Sequence, residues 1–307
     1  MTSRLFPGSQ RLAPALLALA LSIVYFACED DSNKQGGIED FSGQPPCGVT
    51  ACSVDGDPEA PAEGDYRSWS FTAGVSIGDL ALSANGRRLV VGDQDGKLRL
   101  FRHTSNSPIW TYDAGIVQVN SVDISRCGRV VVAAGDDGVI YCFECESGEP
   151  IWTYDTEASA SSEMSVAVSA NGCWIAATTP DNKVYLFERA SPTPVRIFEP
   201  EVTQGAWLTS VAISSGGNYV AAGTWSSDTS GSELFVFDGA EQIWSYKSDY
   251  EAQSSNAVKM PIAMSSDGSK LLIGGADRKI HFFSGGKTPL WSYDPSPGTE
   301  NSIWALA

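Results

Sequence analysis

The stretch of sequence that decides the fold spans residues 121–154 and reads SVDISRCGRVVVAAGDDGVIYCFECESGEPIWTY. Its pattern returns along most of the chain, because a small residue followed by a turn that ends in glycine recurs at a nearly constant interval. The turn glycines are Gly86, Gly128, Gly172, Gly217 and Gly268. A repeat of about 40 to 45 residues predicts structural units that stack on one another, each built from the same few elements.

Each unit contains four short apolar segments separated by turns. The turns between the second and third segments, such as GDDGV at residues 135–139, carry the Asp, Asn and Gly residues that tight hairpins need. Val130, Val131 and Val132 are consecutive, whereas a strand with one face in water would alternate apolar and polar residues. We therefore predict an all-β protein, a β-propeller whose four-stranded blades pack face to face. The five full repeats are expected at residues 74–113, 116–155, 160–199, 206–247 and 257–294.

Partial blades are expected at both ends of the predicted propeller, which spans residues 67–307. Trp69 stands ahead of the first repeat in the place of a fourth strand, and residues 300–307 match the pattern of a first strand. A blade shared by these two segments would lack its second and third strands. We expect either a truncated product or a ring that is open at the join, and we favour truncation because folded proteins avoid unprotected edge strands.

The first 27 residues predict a signal peptide. Arg4 and Arg11 accompany an apolar run at residues 12–27, which is shorter than the roughly 20 residues of a membrane-spanning helix. Residues 25–28, YFAC, resemble the lipobox of bacterial lipoproteins, although Tyr25 replaces the usual aliphatic residue. This resemblance implies that Cys28 is lipidated and anchors the chain to a membrane. The alternative is an ordinary signal peptide with an incidental cysteine at this position.

Residues 28–66 are rich in Asp, Glu, Gly and Pro, and they predict a disordered acidic tether ahead of the propeller. In an oxidising compartment Cys47 and Cys52 can close a small disulfide loop, and the alternative is a pair of free thiols. The whole chain has 20 basic and 37 acidic residues and a formal net charge of -17. This charge repels phosphate backbones, so we do not expect nucleic acid as a partner.

One repeat carries a motif that resembles a known family. Residues 142–152, CFECESGEPIW, are similar to the tryptophan-docking motif of quinoprotein (PQQ)-like propellers, with Gly148 and Trp152 as matches and three substitutions elsewhere. The repeats also resemble those of bacterial WD40-like proteins. The resemblance implies that recurring tryptophans fasten each blade to the next. The residues to which it assigns this role are Trp69, Trp110, Gly148, Trp152, Trp244 and Trp291.

Residues that could carry chemistry are few. His103 and His281 are the two histidines and are predicted to lie on strand surfaces, so neither a metal centre nor a catalytic triad is indicated, and we expect no cofactor. Equivalent turns carry acidic residues on one rim, which could bind a cation, but we favour hydrogen bonds from each Asp to its own turn. These residues are Asp93, Asp95, Asp136, Asp137, Asp181 and Asp277.

The repeats contain four cysteines. Cys127, Cys145 and Cys173 fall in turns that should share a rim, so a disulfide among them is expected, but the sequence does not choose between the pairings. Cys142 alternates with aromatic residues and is predicted to be a buried thiol.

The fourth repeat departs most from the pattern. Trp207 lies in the connection before it, and Trp225 lies in an enlarged loop at residues 224–233. Loops on a rigid scaffold carry function, and exposed tryptophans anchor interfaces, so both residues are predicted to contact a partner. The alternative is that each indole folds onto its own loop.

These features predict a non-catalytic lipoprotein of the bacterial cell envelope, located at the outer membrane, in the periplasm or at the cell surface. It would be a scaffold for a protein or glycan, and one resemblance is to the propeller lipoprotein of the outer-membrane barrel-assembly machinery, which is an analogy of fold. The competing hypothesis is a quinoprotein-like enzyme or small-ligand sensor that uses the central channel. A third is a decayed family member without a function.

Overall fold

The computed structural model describes residues 69–116, 118–158, 163–226, 231–249 and 260–295, all within the unit Asp40–Leu306. These residues form five antiparallel sheets, each of four strands that follow one another in sequence. In chain order the strands are β1 Ile77–Leu82, β2 Arg88–Asp93, β3 Lys97–Arg102, β4 Trp110–Asp113, β5 Val119–Ile124, β6 Val130–Gly135, β7 Val139–Glu144, β8 Pro150–Asp155, β9 Ser165–Val168, β10 Trp174–Thr178, β11 Val184–Glu188, β12 Pro194–Phe198, β13 Ala206–Ile213, β14 Tyr219–Ser226, β15 Glu233–Asp238, β16 Gln242–Lys247, β17 Ile262–Met264, β18 Lys270–Gly274, β19 Ile280–Ser284 and β20 Trp291–Tyr293.

The five sheets are arranged as successive blades. We number them blade 1 (β1–β4) to blade 5 (β17–β20). The first strands of consecutive blades are neighbours, so β1 lies beside β5, β5 beside β9, β9 beside β13 and β13 beside β17. This radial series confirms the predicted all-β propeller with five full four-stranded repeats.

Both faces of the inner strands are buried. In β7, Ile140 and Cys142 pack towards blade 3, whereas Tyr141 and Phe143 pack towards blade 1. Successive side chains of a strand point to opposite faces, so one strand contributes to two interfaces. This explains why every residue of β6 is buried and why the valines run consecutively.

The repeated small residue and glycine form one kind of turn, between the first and second strands. A serine hydroxyl accepts a hydrogen bond from the first amide of the second strand, at 2.9 to 3.0 Å in all five blades. The turn glycine has a φ between 67° and 84°, where residues with a Cβ are strained. The serines are Ser83, Ser125, Ser169, Ser214 and Ser265. We call the rim that holds these turns the anchor rim.

The opposite rim holds the turns between the second and third strands, and we call it the hairpin rim. Four of these turns contain one residue with a φ between 62° and 79°. It is Gly96 in blade 1, Gly138 in blade 2, Asn182 in blade 3 and Arg278 in blade 5. Glycine and asparagine adopt this conformation most readily, which explains the Asp-Gly and Asp-Asn pairs of the sequence.

Tryptophans on the fourth strands reach across to the next blade. The Trp152 ring lies 5.4 Å from the Phe187 ring, and its Nε1 donates to the Arg189 carbonyl at 2.7 Å. Trp110 makes the same contacts with Phe143, at 5.4 Å, and with the Cys145 carbonyl, at 3.0 Å. Each indole therefore combines ring packing with one directed bond across the interface.

The same contact is adapted elsewhere. Trp69 lies 5.6 Å from Phe101 and donates to the His103 carbonyl at 2.7 Å, although residues 69–73 are not a strand. Trp244 packs on Phe283 at 5.5 Å. Trp291 instead stacks at 5.2 Å on Phe282 of its own blade and is 46% exposed.

Glycine and phenylalanine complete two of the interfaces. A Cβ on Gly148 would lie 3.1 Å from the Trp110 Cβ, so this glycine lets the indole approach closely. In blade 3 Phe198 takes the place of tryptophan and stacks on Phe237 at 4.5 Å.

Aspartate side chains join the first strands of neighbouring blades. The Asp79 carboxylate accepts from the Val122 amide of blade 2 at 2.9 Å, and that of Asp123 accepts from the Val168 amide of blade 3 at 2.7 Å. Burial raises the pKa of Asp123 to about 6, against the effect of its two backbone donors, and the charge of Asp79 adds to the rise. Asp123 is therefore partly protonated near neutral pH.

Replacing Trp152 by alanine should lower the free energy of unfolding by about 3 to 5 kcal/mol, because a large buried ring and its hydrogen bond are lost. Trp152→Phe keeps the ring packing and should cost about 1 to 2 kcal/mol. The matched control is Trp291→Ala, which should cost about 1 kcal/mol or less. Denaturant unfolding measures all three, and equal losses at Trp152 and Trp291 would contradict the fastening role.

Asp123 should make stability dependent on pH. Its pKa is raised above the unfolded value of 3.8, so the folded state holds a proton that the unfolded state has released, and its contribution falls as the pH rises. The difference in unfolding free energy between the wild type and Asp123→Asn should fall by about 2 to 3 kcal/mol between about pH 4 and pH 7. Urea unfolding at both pH values measures it. Asp113→Asn, at an exposed position, is the control, and a difference that is constant or rises with pH would refute the assignment.

Candidate partner-binding site

Trp207 and Trp225 lie on strands of blade 4. They are direct cross-strand partners in β13 and β14, and their ring centroids are 4.0 Å apart. Both strands have eight residues, longer than the first and second strands of the other blades, so the β13–β14 pair extends towards the hairpin rim. The prediction that both residues lie in loops is wrong, because strand pairing continues through them. The two half-buried indoles form one surface, which we call the tryptophan pair.

Asn182 of blade 3 holds the end of β13 beside the tryptophan pair. The Leu208 amide donates to its Oδ1 at 3.0 Å, and its Nδ2 donates to the Ala206 carbonyl at 3.4 Å. These bonds flank Trp207 on both sides in sequence. The turn conformation of Asn182, with a φ of 64°, places its amide towards blade 4. The tryptophan pair is thus fixed to two blades.

A buried glutamate braces the same end of blade 4. Glu233 accepts from the Thr203 amide at 2.9 Å and from its hydroxyl at 2.5 Å, and Lys247 forms an ion pair with it at 3.3 Å. The Glu233 amide donates to the Thr224 hydroxyl at 2.8 Å. A buried carboxylate needs such partners, and here they join the segment before β13 to β14, β15 and β16.

Four acidic residues of the hairpin rim bond within their own turns, as the sequence predicts, namely Asp93, Asp137, Asp181 and Asp277. Asp93 accepts from the amides of Asp95 and Lys97, both at 3.0 Å, and pairs with Arg99. Burial alone would raise the pKa of Asp93, but Arg99 and the two amides outweigh it and hold the pKa below its usual range. Asp181 accepts from the Thr179 hydroxyl at 2.5 Å and pairs with Lys183 at 2.7 Å.

Blade 2 has a similar turn. Asp137 accepts from the Val139 amide at 3.1 Å and from the Tyr141 hydroxyl at 2.6 Å. Burial and the Asp137 charge raise the pKa of Tyr141, so its hydroxyl remains a donor. Asp136 departs from the prediction, because it accepts from the Gln118 amide before β5, outside its own turn, at 3.3 Å. Among the described residues, no group of three or more Asp, Glu, His or Cys side chains is arranged to hold a metal ion.

His281 is buried, and the prediction that it lies on a strand surface is wrong. Its Nε2 lies 3.0 Å from the Asp277 carboxylate and its Nδ1 lies 2.7 Å from the Ser292 hydroxyl. Ser292 is its direct cross-strand partner in β20, and Asp277 caps its own turn. In the same way, Arg99 of β3 pairs with Asp93, and Tyr141 of β7 bonds to Asp137. We therefore interpret His281 as a residue that fixes its hairpin turn to β19.

The cysteines differ in their states. Cys127 and Cys173 are disulfide-bonded, whereas Cys142 and Cys145 are buried thiols. Cys142 is thus the core thiol that the alternation predicts, and Cys145 takes no part in a disulfide. The predicted sites at Cys28, Cys47 and Cys52, and the partial strand at residues 300–307, lie outside the described residues.

Known proteins are similar to this chain in fold. The family model of the outer membrane protein assembly factor BamB matches residues 60–192, less than half of the chain. The chain has the fold of a β-propeller, and its similarity to the PQQ-like family model is confined to the matched residues. The crystal structure of the Myceliophteria thermophila Cps50 (Swd1) β-propeller domain is 19% identical, with a TM-score of 0.53, over 68% of this chain and 64% of that chain. No curated protein matches the sequence.

The part of the chain that the structure describes contains no helix long and apolar enough to cross a membrane.

The residues that hold the tryptophan pair in place, Asn182 and Glu233, were not among the predicted site residues. Asn182 has a sequence signal, since it occupies the turn position of Gly96 and Gly138, whereas Glu233 has none.

Asn182→Gly and Asn182→Ala should both free the end of β13, because both remove the bonds to Leu208 and Ala206. The alanine variant should lose about 2 kcal/mol of unfolding free energy and the glycine variant about 1 kcal/mol, since glycine tolerates a positive φ. Hydrogen exchange at the Leu208 amide should become faster in both. Unchanged exchange in the glycine variant would show that the side-chain bonds do not hold the strand.

Proposed function

We propose that the protein is a non-catalytic scaffold of the bacterial cell envelope that docks a protein partner on the tryptophan pair. The observation that supports this most is the pairing of two half-buried indoles on an extended hairpin that two blades hold in place. Held side chains lose little conformational entropy when a partner binds. Tryptophan is also among the residues that are enriched at interface hot spots.

The surroundings of the tryptophan pair indicate the chemistry of the partner. Acidic turns share its rim, including exposed Asp95 and Asp181, each beside a lysine. Asp249, at the end of β16, is exposed on the same rim. A partner with an apolar centre and a neutral or basic border would complement this surface. Such charges act mainly on the association rate and weaken with salt.

The matching family model supports a role in the envelope. The factor that gives this model its name takes part in outer membrane protein assembly, and we propose for this chain a comparable position at the outer membrane or in the periplasm. Anchoring through a lipid on Cys28 is part of the proposal. The proposal of a non-catalytic role rests on the polar residues that could have carried chemistry. Asp93, Asp137 and His281 each form a hydrogen bond at a hairpin turn.

The test uses the full chain, purified with a tag from cross-linked bacterial cells. A protein cross-linked in stoichiometric amount to the wild type should be lost at least tenfold from Trp207→Ala and Trp225→Ala. Removing a hot-spot residue typically costs 2 kcal/mol or more, which corresponds to about thirtyfold in affinity. Thermal unfolding confirms that each variant is folded.

Trp291→Ala, an exposed tryptophan in blade 5, is the matched control and should keep the partner. Equal recovery by all three variants would refute docking on the tryptophan pair. Titration with pyrroloquinoline quinone and calcium tests the competing enzyme hypothesis. Saturable uptake of one cofactor per chain, unaffected by the tryptophan variants, would favour that hypothesis over the scaffold.

A further inference from the structure

Two disulfide-bonded cysteines lie in neighbouring turns of the anchor rim. Cys127 stands two residues after Ser125 in the turn of blade 2, and Cys173 directly follows the turn glycine of blade 3, Gly172. Both residues are half-buried, so small thiols in the solvent can reach them. The other two cysteines of the described residues are buried thiols. Within the part of the chain that the structure describes, Cys127 and Cys173 are therefore the two that can pair with each other.

The two turns are in direct contact. The Arg126 amide donates to the Ala170 carbonyl at 3.2 Å, and a Cβ on Gly172 would lie 3.5 Å from the Ser125 Cβ. These residues are close to the two cysteines in sequence. A disulfide needs Cβ atoms about 4 Å apart, a separation that touching turns provide. The geometry thus favours a bond between the two cysteines that joins blade 2 to blade 3.

The turn of blade 2 lacks a polar side chain that other anchor turns have. In blades 1, 3 and 5 the residue at the position of Cys127 accepts from the turn serine and from the amide two residues later, at 2.6 to 3.1 Å. These residues are Asn85, Asn171 and Asp267. Cys127 offers only a sulfur 3.9 Å from the Ser125 hydroxyl, which is a weak acceptor. The blade 2 turn therefore depends more on its link to blade 3.

A buried thiol reports on the same junction. Cys142 of β7 is fully buried among residues of blades 2 and 3, whereas Cys145 is buried between blades 1 and 2. Burial raises the pKa of Cys142 to about 12, and it also raises the pKa of Cys145. Reaction with a thiol reagent needs both access and the thiolate, so each thiol reacts only when its own junction opens.

We propose that Cys127 and Cys173 form a redox-sensitive link that holds blades 2 and 3 together. A dithiol, as its thiolate, attacks one sulfur, forms a mixed disulfide and releases the other cysteine as a thiolate. The second thiol of the dithiol then displaces the remaining cysteine. The two cysteines take up the protons of the dithiol, which becomes a disulfide. The junction then opens locally, so the propeller is fully stable only in an oxidising compartment.

The experiment labels the folded full chain with N-ethylmaleimide and measures Cys142 and Cys145 separately by mass spectrometry after cleavage at Glu144. Reduction with dithiothreitol, removed before labelling, should speed the labelling of Cys142 about tenfold or more, because the junction opens more often. The double variant Cys127→Ser with Cys173→Ser should show the same rate without a reductant. Cys145 is the internal control, and its rate should change by less than about twofold.

A further variant separates the link from the turn. Cys127→Asn with Cys173→Ser restores the asparagine found in blades 1 and 3 but forms no bond between blades. It should still label Cys142 rapidly. Slow labelling in this variant would show that the missing polar side chain, and not the link, governs the junction, and the proposal would then be wrong.

Other outcomes would also overturn the proposal. Peptide mapping of the oxidised chain that pairs Cys127 or Cys173 with another cysteine would remove the link between the blades. A bond that resists dithiothreitol in the folded chain would not be redox-sensitive. Equal acceleration at Cys142 and Cys145 would indicate general unfolding, and an unchanged rate at Cys142 would show that the link does not hold the junction. The tryptophan pair is unchanged in every variant, so these results are independent of the proposed scaffold function.

Discussion

The structure depends on one contact that passes from blade to blade, in which an aromatic ring of a fourth strand packs on a phenylalanine of the next third strand. In three junctions the indole also donates to a carbonyl on the anchor rim. A single blade is apolar on both faces and cannot bury them alone, so each blade depends on its neighbours. At the start of the described series Trp69 supplies this contact, but part of the outward face of blade 1 is exposed. Leu80 and Leu82 are 58% and 59% exposed, although the equivalent Val122 and Ile124 of blade 2 are buried.

The sequence predicted the blades well because local and long-range requirements coincide there. In each anchor turn the serine hydroxyl accepts a hydrogen bond, and the glycine adopts a positive φ. The two residues lie a few positions apart, so the requirement is visible in the local sequence. The consecutive valines of β6 reflect burial on two faces, which only packed blades provide. The positions of the strands in the five described blades follow from these signals. The same reasoning accounts for Asp93 and Asp137, which accept hydrogen bonds from backbone amides of their own turns.

The errors concern residues whose partners are distant in sequence. The segment around Trp225 has the composition of a loop, and only pairing with Trp207 makes it a strand. His281 resembles a surface residue until the turn Asp277 and the cross-strand Ser292 enclose it. Glu233 starts a strand in which a charge is unexpected, and its burial is acceptable because Thr203 and Lys247 arrive from other segments. Pairwise contacts of this kind leave no periodic signal in a single sequence.

The division between core and rims explains how the repeats could diverge. The fastening contacts lie inside the blade interfaces, where a change in size is costly, whereas substitutions of exposed rim residues that make no cross-blade bond typically alter stability by about 0.5 kcal/mol or less. Each rim has therefore acquired its own character without loss of the fold. The hairpin rim combines acidic turns with an extended strand pair in blade 4, and the anchor rim gathers arginines from blades 1 and 2. The two rims therefore present different side chains, although the same strands support both of them.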